Sequence, residues 1–233
     1  MSRKILQFCF IAALTVACSE EEPRKALTVY DESLIEYFNE VALGFEFGGA
    51  SEVTRKWTTD MRIFVGGNNH PDLVAELQNI LGEINTLATD GFSVSVVTDT
   101  LESNFYIFLG SGTDYSKRFP SLANLVPSNW GLFNISFDPS NQINGGTMYV
   151  DTDRANSFEE KHLLREELTQ SLGLGRDSHR YPSSIFQANW TETTQYSDMD
   201  KDLIRLLYHP LMKTGLDRAQ CAELLRKIIL SEK

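Results

Sequence analysis

Apolar and polar positions follow two periods along this chain. Helical spacing runs through 33–45, where Ile35, Phe38 and Ala42 share a face, and through 70–88, where Leu73, Leu77, Ile80, Leu81, Ile84 and Leu87 form one stripe behind Pro71. Between them, 60–67 alternates as a strand does, with Met61, Ile63 and Val65 on one side and Gly66 and Gly67 at its end. The stretches 92–99 and 103–110 read as two more strands. The segment from Leu132 to Asp153 reads as a pair, Phe133–Phe137 and Thr147–Val150, turning at Asn144, Gly145 and Gly146. Ser157 with Glu160 predicts a capping box for the next helix, which Gly173 closes in a left-handed conformation. Ser197 with Asp200 predicts a second box ahead of 201–212, and a last helix spans 217–230. The order is helix, strand, helix, four strands, helix, loop, two helices. That predicts an α+β domain, a twisted mixed sheet backed by helices and followed by a helical C-terminal half.

The N-terminus has a different pattern. Arg3 and Lys4 precede an apolar run from Ile5 to Val16 that is too short to span a bilayer. It ends in small residues before Cys18, with Leu14 one step earlier than a lipobox places it and Thr15 in its stead. We read 1–17 as a lipoprotein signal peptide and Cys18 as the lipidated residue, against the alternative of ordinary cleavage and secretion. The acidic run after Cys18 makes 18–28 a solvated tether, and 29–233 is then one domain. The acidic run also resembles export signals of surface lipoproteins. The expected location is the bacterial cell envelope, as an outer-membrane lipoprotein held to the membrane by its lipid.

Composition narrows the partners. The chain carries a net charge of -11, and its leader holds Arg3 and Lys4 but no acid, so the remainder is more acidic still. Nucleic acid, which requires a basic footprint, is not an expected partner. Of three cysteines, Cys9 leaves with the leader and Cys18 takes lipid. Cys221 alone remains, so no disulfide forms within the domain.

The chemistry is concentrated in one helix. On 162–172, Leu164, Leu168 and Leu172 fall on one side, while Glu166, Glu167 and Gln170 surround Leu163 on the other, with His162 at the edge. Acidic residues opposite leucines also describe an ordinary solvated helix face. The continuation Gln170-Ser-Leu-Gly-Leu-Gly-Arg-Asp-Ser resembles the active-site segment of metzincin metallopeptidases. In that likeness Glu166 stands at the first zinc histidine, Glu167 at the catalytic glutamate, Gln170 at the second histidine, Gly173 at the glycine and Arg176 at the third histidine. Only Glu167 and Gly173 keep the expected type. The resemblance implies a zincin-like scaffold, with 145–152 around Met148 as the edge strand that binds extended substrate. It also puts Ser183–Phe186 where metzincins carry a methionine turn, here without methionine.

A closer likeness combines 55–67, the segment Leu163–Leu174 with Asp177 after it, 183–187, and 202–216. Together these resemble an uncharacterised bacterial family, domain of unknown function family 2927, whose hallmark is Glu-Glu-x-x-Gln-x-Leu-Gly-Leu followed by an aspartate. The likeness covers Ser33 to the C-terminus, and membership implies a scaffold more than a reaction.

Glu166, Gln170 and Asp177 offer only side-chain oxygens as donors, a set that suits calcium, magnesium or manganese better than zinc. Water on such a cation is a poorer nucleophile at neutral pH than zinc-bound water. No cofactor is therefore assigned beyond a candidate divalent cation. Without metal, Glu166 and Glu167 form a candidate acid–base pair if buried together. His179 lies past the glycine turn, within reach as a ligand or else as a surface histidine; His70 and His209 read as structural. The segment 110–117 lacks the phosphate-loop pattern and reads as an ordinary loop. Trp57, Trp130, Trp190, Tyr106 and Tyr149 either line a cleft or pack the core. Three readings follow. The first is a cleft binding a peptide or other envelope component. The second is a peptidase-like hydrolase with Glu167 as general base. The third is a structural surface protein whose acidic helix face is solvated.

Overall fold

The computed structural model describes residues 25–45 and 49–233. The expected signal peptide, Cys18 and most of the tether lie outside the described residues. The elements are α1 (Val29–Val41), β1 (Lys56–Trp57), β2 (Met61–Gly67), α2 (Pro71–Leu87), β3 (Val94–Val96), β4 (Phe105–Gly110), α3 (Gly112–Arg118), β5 (Gly131–Phe137), β6 (Gln142–Asp151), α4 (Ser157–Gln170), α5 (Asp198–Leu207) and α6 (Arg218–Ser231). Two short 3-10 turns connect α3 to β5.

The fold is a mixed α+β structure built on a six-stranded sheet of order β1-β6-β4-β2-β3, with β5 attached to β6. Every pair is parallel except β5 with β6. Parallel neighbours need long crossovers, and the apolar stripe of α2 supplies the one between β2 and β3. Met61, Ile63, Phe105, Ile107, Leu109, Met148 and Val150 project to one face of the sheet. There they meet Leu77, Ile80 and Ile84 of α2 and Leu164, Leu168 and Leu172 of α4 in the main core. The opposite face carries a smaller cluster, in which Phe108, Leu132 and Tyr149 pack on Tyr115 of α3. Arg165 joins α4 to α2 through Glu76 and Glu83, each at 2.9 Å, and lies over the Tyr196 ring.

Three local expectations change. The turn falls at 138–141 rather than 144–146, because Asp138 Oδ1 accepts from the main chain of Ser140 and Gln142 and Asn141 adopts φ 63°. This side-chain-to-backbone chemistry outcompetes the glycine pair, which stays inside β6. The capping box of α4 sits one residue earlier, with Asn156 accepting from Phe158 and Glu159 main chain and Glu159 bonding back. Most of the segment 110–117, expected as loop, lies in a helix, Gly112–Arg118, capped by Ser111 and burying Tyr115.

The expected edge strand is also different. Met148 has no exposed surface and sits in β6, paired to Phe133 on one side and Ile107 on the other. A strand paired on both sides has no free edge, so among the described residues the edge strand here is β5.

Candidate functional site

The site is built where α4 ends. Gly173 takes φ +118°, and a Cβ there would lie 2.1 Å from the Arg55 carbonyl oxygen. Only glycine lets the chain turn against that backbone. The turn is held by the Trp57 indole donating to Ser171 O at 3.0 Å and the Tyr208 hydroxyl donating to Leu172 O at 2.9 Å. Arg176 N then donates to Val41 O, and the Arg176 side chain leaves toward Glu52. Asp177 returns to the helix, where it accepts from Gln170 Nε2 at 2.5 Å. Ser178 pairs with 186–188 through Ser178 N to Phe186 O and Ala188 N to Ser178 O. That second segment is anchored from below. Buried Asp200 accepts from Ser184 Oγ at 2.5 Å and from Ile185 N at 3.1 Å, and the Tyr37 hydroxyl bonds Ser184 at 2.7 Å.

The result is a cleft of about 500 Å³. Its floor is α4, presenting His162, Leu163, Glu166, Glu167 and Gln170. Residues 128–133 leading into β5 form one wall, and Asp177 with Gln187–Trp190 form the other. The acidic face of α4 is therefore not a solvated face: Glu167 is 8% exposed and Gln170 4%. Glu167 lies under the start of β5, where a side chain on Gly131 would meet its Oε1 at 2.5 Å. The main chain of the edge strand thus comes close to the carboxylate. At one end Trp130 and Trp190 pack edge to face with centroids 5.3 Å apart.

Glu166 turns to His162. Their closest approach is 3.2 Å at Nε2, and Nδ1–H donates to Thr193 O at 2.7 Å. Burial alone would lower the His162 pKa. The hydrogen bond and charge of Glu166, the Thr193 carbonyl and the Asp177 charge outweigh it, and the pKa is raised above 6.5. A raised folded value stabilises the fold below the unfolded value, and that contribution is lost as pH rises through the folded value. His209 shifts the opposite way because burial dominates there, so the His162 contribution must be read as a difference. The melting temperature of the native protein minus that of Glu166→Gln should shrink between about pH 6 and pH 8.5. A constant difference across that range would show that the pair does not couple to folding.

Of the residues singled out in the sequence, Glu166, Glu167, Gln170 and Asp177 all line this cleft, as do Trp130 and Trp190. Met148, Trp57 and Tyr149 are interior, and His179 is exposed and outside the lining. Glu166 and Asp177 belong to different polar pairs. Among the described residues no three His, Cys, Asp or Glu side chains converge as metal ligands. Two contributors were not read from the sequence. The role of His162 had a visible signal in its i,i+4 spacing to Glu166. The wall at Gln187–Asn189 had none, because residues outside the segment, Ser178, Tyr37 and Asp200, place it.

The family model described as "Protein of unknown function (DUF2927)" matches residues 31–227. The chain belongs to this family. The match runs from within α1 to within α6 and contains every residue of the cleft. No curated protein matches the chain. Among the described residues of this DUF2927 protein no helix is long and apolar enough to cross a membrane.

Proposed function

We propose that this chain is a lipid-anchored protein of the bacterial envelope, on a zincin-like scaffold, whose cleft holds an extended polypeptide along β5. The observation that carries the reading is the position of β5. Among the described residues it pairs only with β6, and it borders the cleft over the polar face of α4. In an antiparallel ladder alternate residues bond the neighbour, and those between turn N–H and C=O outward. Asp151 N donates to Trp130 O, and the register continues through Leu132↔Tyr149 and Asn134↔Thr147. Phe133 and Ile135 therefore face away from β6. A strand laid there gains main-chain hydrogen bonds for affinity and side-chain pockets for specificity.

Proline at position 133 tests this. Its missing N–H faces away from the ladder, a place where an edge strand tolerates proline. A library of blocked extended peptides, read by fluorescence anisotropy, should bind the native protein and Phe133→Ala but lose about tenfold or more on Phe133→Pro. Equal binding by the two variants would remove main-chain pairing from the account. Anchoring rests on Cys18. Cys18→Ala should move the protein from the membrane fraction to the soluble fraction, and retention of the variant on membranes would refute the lipid.

The position of Glu167 favours a second reading, a peptidase-like hydrolase with Glu167 as general base and either an oxygen-ligated divalent cation or a carboxylate partner. Glu167 is buried beside Gly131, next to where a bound strand would run. Mass spectrometry of the same peptides decides it: cleavage products with the native protein and none with Glu167→Gln support turnover, and intact peptides with both leave a binding cleft.

A further inference from the structure

We propose that Trp190 selects the strand that the cleft takes, and that this strand carries an aromatic side chain where it passes the Gly131 end of β5. This rests on the reading of the cleft as a groove for an extended polypeptide and names one specificity-determining contact within it.

A single exposed apolar side chain is ordinary on a protein surface. Trp190 differs in how it is held. It is 56% exposed, and among the described residues it is the one exposed large apolar side chain in the cleft lining. Its segment is pinned on both sides. Before it, Ala188 N donates to Ser178 O at 3.0 Å and Asn189 N donates to the Gln187 side chain at 3.1 Å. After it, the Thr193 carbonyl accepts from His162 at 2.7 Å.

The ring is braced as well. Trp190 packs at 78° on Trp130, which is half-buried. Arg154 lies over the Trp130 ring, its guanidinium carbon 5.7 Å from the centroid, and is itself fixed by Asp151 at 2.7 Å and by Asn129 O at 2.8 Å. Trp130 is thus the support, already engaged by its neighbours, and Trp190 is the surface presented to the cleft. An aromatic fixed before binding loses little conformational entropy when a ligand covers it. Tryptophan is also among the residue types that most often dominate an interface.

The place of Trp190 along the strand sets where the ligand meets it. Asp151 N donates to Trp130 O, so Trp130 is bonded inward to β6, and Gly131 is the first residue of β5 whose main chain faces away. A bound strand therefore makes its end rung at Gly131, one strand step of about 3.4 Å from the residue on which Trp190 packs. The ligand residue at or just past that rung comes alongside the Trp190 ring. An aromatic ring there gains both buried area and an offset or edge-to-face contact, whereas a small residue leaves Trp190 in water.

The experiment uses the full-length protein in detergent and four blocked nonapeptides built from alanine, threonine and serine. The parent has no phenylalanine; the others carry one near the N-terminus, at the centre or near the C-terminus. Both ends are tried because a strand can run either way along β5. One of the two end-substituted peptides should bind about tenfold tighter than the parent by fluorescence anisotropy. Trp190→Ala, at an exposed position, should keep the native melting temperature and bind that peptide no tighter than the parent, while Trp190→Phe should keep most of the preference. A phenylalanine effect that is equal at every position, absent altogether, or retained in Trp190→Ala would overturn the role of Trp190 and leave the groove standing. Failure of every peptide, the parent included, to bind the folded protein would remove the groove as well.

Discussion

Asp200→Ala should lower stability by about 4 kcal/mol, because three donors lose a buried acceptor at once. Asp200 has no exposed surface, and it accepts from Ser184 Oγ, Ile185 N and Ser197 N. It also closes the capping box of α5. Burying an unsatisfied donor is the expensive side of hydrogen bonding, and no solvent reaches the site to replace the carboxylate. For a chain of this size the melting temperature should fall by roughly 8–16 °C. A second consequence separates this from general destabilisation. The turn 184–187 carries Gln187 into the cleft wall, so residual folded protein should bind cleft ligands more weakly than native. A change of less than about 2 °C would show that Asp200 is not the anchor described.

Gly173→Ala should be at least as damaging, at about 4 kcal/mol or more. Two penalties combine at this position: φ +118° is a conformation that L side chains rarely adopt, and the new methyl would overlap the Arg55 carbonyl oxygen at 2.1 Å. Backbone cannot rotate out of the way as a flexible side chain can. Gly215→Ala supplies the control, since its φ is +79° and the nearest atom to a Cβ is 3.4 Å away. It bears the conformational penalty alone, about 1 kcal/mol. Thermal unfolding of the two variants should differ by several degrees; equal melting temperatures would mean that the close approach to Arg55 contributes nothing. The same turn brings Asp177 back to Gln170, so in Gly173→Ala the cleft loses its far wall even where the domain still folds.

These two positions were legible to different degrees. Gly173 was readable as a helix stop, because a glycine after an apolar helical stripe has few other uses. Its approach to Arg55 was not, since more than a hundred residues separate them. Asp200 was readable as the partner of Ser197 in a capping box, a relation that spans three residues. Its larger task, holding Ser184 and Ile185 under the cleft, depends on a contact between the first turn of α5 and a separate loop that no periodicity encodes. His162 shows the same division. Its spacing to Glu166 is local, whereas the Thr193 carbonyl that fixes its ring belongs to a separate segment.

The clearest misreading concerns the edge strand. Apolar alternation found both β5 and β6, and nothing in either sequence says which is paired twice. Met148 and Phe133 look alike as strand residues; only the parallel addition of β4 to β6 makes one interior and the other marginal. The polar face of α4 is a related case. Glu166, Glu167 and Gln170 are the composition of a solvated helix face, and β5 and the 187–190 segment cover them.

By itself, then, the sequence determined the α+β class, the helices at α2, α4, α5 and α6, the capping box of α5, the glycine stop after α4 and the family to which the chain belongs. Each of these depends on residues within a few positions of one another, or on a motif read in order. Tertiary structure alone decided which strand carries the free edge, that the acidic face of α4 is a cleft floor, and which partners Glu166 and Asp177 take. Those outcomes depend on strand register and loop packing between distant segments, where the free energy lies in buried area and hydrogen bonds that form only once the chain has closed.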